Sequence, residues 1–219
     1  VPETRGEAAS RGIDFHKSIE DFLAGVSPSL PPNLEYYQSW FTELRNYEIY
    51  PEHVITLNED WQPTKEGESY WYKGILDLLV IRRGQADLQV DGRSEGEGGP
   101  VSDKGIVKPT PPREAIIYDW KTGGIYPDHD DQKSLYSRAV FAQFPSVFSV
   151  RAIHVYVDKR QIRERTFHRD QMHELRTAWD ARAQKFLKAL ESPEGMIPNP
   201  GFHCRWCPFS AQKGGPCRF

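Results

Sequence analysis

Asp119 and Lys121 stand two apart at the end of an apolar run, Ala115-Ile116-Ile117-Tyr118. On an extended segment that spacing sends both side chains out on one face. Ionised groups at the end of a buried strand need a reason to be there. A second apolar stretch, Ile75 to Ile81, encloses Asp77 between Leu76 and Leu78, where an unpaired carboxylate is costly. Two carboxylates brought together repel unless a cation lies between them, and a hard divalent ion takes oxygen ligands. Mg²⁺ binds through one or two carboxylates and keeps several waters, which suits phosphoryl chemistry. Lys121 beside such a water would orient it and stabilise the charge of the attacking state. An Asp-x-Lys triplet alone is equally a strand-end ion pair facing solvent, so the elements that carry it must be considered.

Residues 9–24 read as an amphipathic helix with Ile13, Ile19, Phe22 and Leu23 near one stripe and Gly25 as its stop. His16 and Glu20 lie four apart and project from one face. After a proline linker, Asn33 can cap a second helix to about Tyr47. His53 to Leu57 and Tyr70 to Arg82 read as strands, the second with Gly74 near its middle. Residues 91–112 are rich in Gly and Pro and read as a flexible excursion without chemistry. The Ala115–Tyr118 strand follows, then a Thr122-Gly123-Gly124 turn and a helix from Asp128 to Phe144. Strands Val150–Val157 and Ile162–Phe167 precede a helix from Asp170 to Ser192, with Leu175, Trp179, Phe186 and Leu190 as its apolar stripe. The expected fold is α/β in the broad sense (α+β), a central mixed sheet flanked by helices in one domain. Residues 1–50 supply N-terminal helices, 51–192 the core, and 193–219 an irregular tail holding the cysteines.

Composition fits a soluble globular protein, with 38% hydrophobic and 27% charged residues. No run approaches the roughly 20 apolar residues that span a bilayer, so no membrane partner is expected. The chain opens on Val1 without a signal-peptide pattern and is read as not secreted, with an upstream segment allowed for. A net charge of −3 does not advertise nucleic-acid binding, yet Lys159, Arg160, Arg163, Arg165 and Arg169 crowd into eleven residues. Such a cluster is by itself more often a solvated face. The three cysteines all lie in the last sixteen residues, and the odd count points to a reducing, cytoplasmic setting and to metal ligation.

Taken together, Gly74-x-x-Asp77, Asp119-Trp120-Lys121 and Gln132-x-x-x-Tyr136, with His16 upstream, resemble the PD-(D/E)xK nuclease superfamily and its RecB-type exonuclease branch. That branch includes helicase-linked nucleases, CRISPR-adaptation nucleases and phage exonucleases. The resemblance runs from about residue 9 to the C-terminus and implies a restriction-endonuclease-like core. It implies that Asp77 and Asp119 bind Mg²⁺ or Mn²⁺, that the Trp120 carbonyl adds an oxygen, and that neutral His16 adds a nitrogen. Glu20 would orient His16 or be solvated. Gln132 and Tyr136 would point into the site, Gln132 bridging to Lys121 or a substrate phosphate and Tyr136 meeting the DNA backbone. Asp119 stands where the superfamily often has Glu, an exchange the RecB-type branch also carries. Glu52, at a strand start, is a further acid able to join.

The expected activity is metal-dependent hydrolysis of phosphodiester bonds in DNA, at ends or on single strands, with Trp71, Tyr72 and Trp120 offered to stack on bases. The alternatives are a sequence- or structure-specific endonuclease and, from another class, an inactive nucleic-acid-binding module. A helicase, recombinase or other nucleic-acid-processing protein is the kind of partner expected. In the tail, Cys204-x₂-Cys207 with Cys217 has metal-ligand spacing. Similar cysteines in RecB-type nucleases join an upstream cysteine in a [4Fe–4S] cluster, which needs four. A fourth cysteine upstream, a Zn²⁺ site completed by His203 or another histidine, and a vestigial site all remain open here.

Overall fold

The structure, a computed structural model, describes residues 7–83, 113–122, 124–126, 129–192 and 200–218. The excursion at 91–112, the Gly123 turn position and the expected helix start at Asp128 lie outside the described residues. By its internal contacts the chain divides into two compact units, Val1–Leu175 and Arg176–Phe219, a boundary inside the last helix rather than at the start of the tail.

The first unit holds one sheet of five strands in the order β1-β2-β3-β4-β5. These are β1 (Glu48–Leu57), β2 (Tyr72–Arg83), β3 (Arg113–Lys121), β4 (Val147–Tyr156) and β5 (Gln161–His168). Strands β3 and β4 run parallel and the other neighbours antiparallel, so the sheet is mixed as its element order implies. A parallel pair needs a crossover, and α3 (His129–Gln143) supplies it. Ahead of the sheet come α1 (Glu7–Leu23), a 3₁₀ segment Pro32–Tyr37 and a short α2 (Gln38–Leu44). The single second helix expected from Asn33 is therefore two pieces. Pro32 opens the 3₁₀ segment, and no side chain caps the start of α2.

Phe15, Ile19, Phe22 and Leu23 of α1 and Phe41 and Leu44 of α2 form one core with Leu78, Val80, Ile116, Tyr118, Trp120, Ile153 and Val155. Trp120 is 2% exposed there. It lies parallel to Tyr118 at 5.6 Å and edge-on to Phe41 at 5.0 Å. Its ring is thus a core element and is closed to a stacking base. Because Trp120 points into that core, Asp119 and Lys121 must leave β3 on the opposite face, where α3 lies against the sheet.

Gly74 has a local reason. A Cβ there would lie 2.9 Å from Cζ of Tyr72, whose ring stacks on buried Trp61 and whose hydroxyl is itself buried. Gly74→Ala is expected to lower stability by about 1–3 kcal/mol through overpacking. Urea unfolding checks this, and an unchanged midpoint would mean that the Tyr72 ring yields freely.

In the second unit, α4 (Met172–Glu191) continues past the boundary. Of its expected apolar stripe, Leu175 and Trp179 are half-buried, while Phe186 and Leu190 are 63% and 52% exposed. Among the described residues no helix is long and apolar enough to cross a membrane.

Candidate active site

The site grows from a fault in strand pairing. The β2–β3 ladder runs from Arg83↔Arg113 to Leu78↔Tyr118 and stops one residue short of setting Asp77 opposite Asp119. Beyond that point the Trp120 N–H no longer has a ladder partner on β2, and Asp77 takes it, its Oδ2 accepting at 2.8 Å. An acid in an apolar strand thus replaces a backbone acceptor and keeps one oxygen turned toward the gap. On the other side, β1 pairs with β2 through Pro51↔Leu78 and His53↔Leu76, leaving Glu52 unpaired beside Asp77. Glu52 has φ +47°, an αL conformation that is uncommon outside glycine. Continuing across the sheet, Asp119 pairs with His154 on β4 and His154 with Arg163 on β5. Glu52, Asp77, Asp119, His154 and Arg163 therefore make one polar row across all five strands.

Helix α1 closes the row from the opposite side. His16 Nε2 lies 3.1 Å from the Trp120 carbonyl and Nδ1 3.3 Å from Asp77 Oδ1. The imidazole thus sits between the two oxygens expected to share a metal. Its pKa is raised, chiefly by the hydrogen bond to Asp77 and against the opposing effect of burial. One donor atom each from His16, Glu52 and Asp77 lies within 4.8 Å of the others, and no other such group of three His, Cys, Asp or Glu occurs among the described residues. Burial, then the Asp77 charge, raises the Glu52 pKa. Burial and a neighbouring carboxylate both disfavour the ionised form. A cavity of about 430 Å³ opens on this group, lined by Gly12, Ile13, His16, Lys17, Glu20 and Glu52. Glu20 does not orient His16 but accepts from Lys17 at 3.0 Å.

The other half of the site hangs from α3. Gln132 accepts from Lys121 Nζ at 3.0 Å and donates from Nε2 toward Tyr136 at 3.0 Å and Asp119 Oδ1 at 3.3 Å. Lys121 Nζ also lies 2.6 Å from Asp119 Oδ2, a charged pair that lowers the Asp119 pKa. Asp119 is 4% exposed. Burial first, and repulsion from Asp77 second, push its pKa up to about 6 against the pull of Lys121. Next to it, buried His154 is driven down to about 3 by burial and then by Lys133, so it is neutral at ordinary pH.

The raised Asp119 pKa has a consequence for stability. The folded protein binds this proton more tightly than the unfolded chain. Metal-free stability therefore falls as pH climbs from the unfolded value of 3.8 to about 6 and stays reduced above it. At about 1.4 kcal/mol per pH unit the ionised carboxylate costs on the order of 3 kcal/mol. Asp119→Asn is expected to raise the metal-free melting temperature at pH 7.5, with the gain shrinking toward pH 4. A variant less stable than wild type at pH 7.5 would show that the Lys121 pair outweighs burial.

The structure brings His16, Asp77, Glu52 and the Trp120 carbonyl together on one side and Asp119, Lys121, Gln132 and Tyr136 on the other, with Asp119 outside the three-donor group and His154 added beside it. Glu52 had a weak signal, an acid in a β-rich run, whereas its φ is not visible in sequence. His154 had one too, a lone ionisable residue inside Ala152-Ile153-His154-Val155-Tyr156. The tail residues do not gather in the same way. Cys204, Cys207 and Cys217 are free and half-buried, and the Cys204 Sγ accepts from the Gly201 N–H at 3.3 Å. Among the described residues they make no three-donor group with His203 or with each other. No known protein family's model matches the chain, and no curated protein does.

Proposed function

We propose that the chain is a metal-dependent deoxyribonuclease with a PD-(D/E)xK core of the RecB type, hydrolysing phosphodiester bonds at DNA ends or on single strands. The observation that carries this reading is the pairing of two halves at one break in the sheet. On one side His16, Glu52, Asp77 and the Trp120 carbonyl form a cluster with metal-ligand character. On the other, Lys121 is held by Asp119 and Gln132. The helix crossover between parallel β3 and β4 supports the core assignment, because it sets Gln132 and Tyr136 over the end of β3.

His16, Asp77, Asp119 and the Trp120 carbonyl would hold Mg²⁺ or Mn²⁺, with Glu52 as a further carboxylate. A bound ion supplies Lewis acidity toward the phosphate and toward water. In the reaction a water oxygen bonds to phosphorus and the bond from phosphorus to a sugar oxygen breaks, leaving a phosphate monoester and a hydroxyl. Lys121 donates to the attacking oxygen and offsets the negative charge that accumulates on the phosphoryl group. Gln132 fixes the ammonium group through its carbonyl, while its amide NH₂ holds Asp119 and Tyr136. Burial keeps the Tyr136 phenol protonated, so it can donate to a substrate oxygen.

The test is incubation with linear and circular DNA, single- and double-stranded, in Mg²⁺ or Mn²⁺ and in chelator. Metal-dependent loss of linear substrates is expected. Loss of none overturns the nuclease reading, and binding without cleavage would favour the inactive module. Equal loss of circular DNA would replace the end-dependent form with an endonuclease.

A further inference from the structure

We propose that His154 is the positioning residue for Asp119, holding its Oδ2 so that Lys121 can leave that oxygen for the attacking water. The proposal rests on the reading of Asp119 as a metal-binding acid and extends it to a residue on a different strand. Parallel pairing of β3 with β4 sets His154 directly beside Asp119. The imidazole is 1% exposed, and its Nε2 lies 3.7 Å from Asp119 Oδ2. That is longer than a hydrogen bond, but a shift of less than about 1 Å closes it to the usual range.

Two buried atoms bear on this. Among the described residues His154 Nδ1 has no hydrogen-bond partner. Asp119 Oδ2 is met by Lys121 at 2.6 Å. Asp119 Oδ1 is already served by Gln132. If Lys121 turns to the substrate, Oδ2 loses that cation, and His154 Nε2 stands 3.7 Å away to take its place. The tautomer follows from the same contacts. A proton on Nε2 faces a carboxylate oxygen. A proton on Nδ1 would instead be a buried donor without an acceptor, and it would set the Nε2 lone pair against that oxygen's lone pairs. His129 packs edge-on to the ring at 5.7 Å and Tyr156 at 6.3 Å, which fixes its plane. His154 is thus to Asp119 what an outer-shell partner is to a ligating side chain: it sets the ligand's orientation without touching the ion.

The experiment compares Mn²⁺ binding by calorimetry and DNA cleavage in the full chain, in wild type, His154→Leu and His154→Gln. His154→Leu is expected to weaken Mn²⁺ by about 10–100-fold, the usual cost of an outer-shell partner, and to slow cleavage in step. His154→Gln, which restores an N–H donor, should return affinity to within a few-fold of wild type. Unchanged affinity in His154→Leu overturns the proposal. Equal loss in both variants also does so, because it would report packing rather than the donor. A wild type that binds no Mn²⁺ sinks the metal reading itself, and the positioning role with it. Should His154→Leu not fold, ¹⁵N spectra of the wild-type histidines decide. The proton of His154 is expected on Nε2 and protected from exchange, whereas a proton on Nδ1 overturns the proposal.

Discussion

Lys121→Ala is expected to lose metal-dependent DNA cleavage by about 10³-fold while keeping Mn²⁺ affinity within a few-fold of wild type. An ammonium group has no lone pair to give a metal, so Lys121 is not expected in the ligand shell. Its ammonium is held at 2.6 Å by Asp119 and 3.0 Å by Gln132, with its side chain 22% exposed. A cation held this close to the reacting group has only to turn from Asp119 to the attacking oxygen as charge builds on the phosphate, and one such donor can account for a large share of a rate. Removing it withdraws an influence that lowers the Asp119 pKa. Binding is therefore compared at pH 8, above the range where that carboxyl takes up a proton. Single-turnover rates with calorimetric affinities separate the two roles. Loss of Mn²⁺ binding in proportion to activity would make Lys121 a part of the ligand shell and contradict its assignment to the chemistry.

Asp77→Asn is expected to weaken Mn²⁺ by more than about 100-fold, beyond the cost of an outer-shell change, without unfolding the protein. The amide oxygen of Asn can still accept the Trp120 N–H that Asp77 now holds at 2.8 Å, so the break between β2 and β3 stays closed. Asp77→Ala lacks that acceptor and should be less stable than Asp77→Asn by about 1–3 kcal/mol. The same pair yields a pH test. His16 must lose its proton to ligate a metal, and Asp77 is the main reason that its pKa is raised. Wild-type Mn²⁺ affinity should therefore climb up to about tenfold per pH unit below the His16 pKa and level off above it. In Asp77→Asn the levelling point moves to lower pH. Equal pH profiles in the two proteins would mean that His16 does not ligate.

Much of the fold was legible because hydrophobic periodicity is local. The stripe of Ile19, Phe22 and Leu23 marks α1, and the apolar runs around Asp77 and Asp119 mark β2 and β3, each within a few residues of its bounds. The start of β1 was missed by five residues, since Pro51 argues against a strand and is tolerated here in an edge strand. Asp119 and Lys121 stand out by their spacing at a strand end and Gln132 and Tyr136 through the family resemblance, and the structure brings these four side chains together. In the sequence Glu52 is only an acid able to join, and His154 is not picked out. Their roles depend on register: Glu52 matters because β1 sets it beside Asp77, and His154 because β4 pairs in parallel with β3. Register is fixed by the whole sheet and leaves no short-range mark. Trp120 shows the reverse error. An aromatic next to a candidate site acid suggests base stacking, but alternation along β3 sends the residue between Asp119 and Lys121 into the core.

The most direct measurement is an anomalous difference map from crystals grown with Mn²⁺. The expected result is a strong peak among His16, Asp77, Asp119 and the Trp120 carbonyl, with Lys121 outside its ligand shell. No peak at that break in the sheet under saturating Mn²⁺, or one only at distant surface acids, would contradict the metal-dependent nuclease assignment.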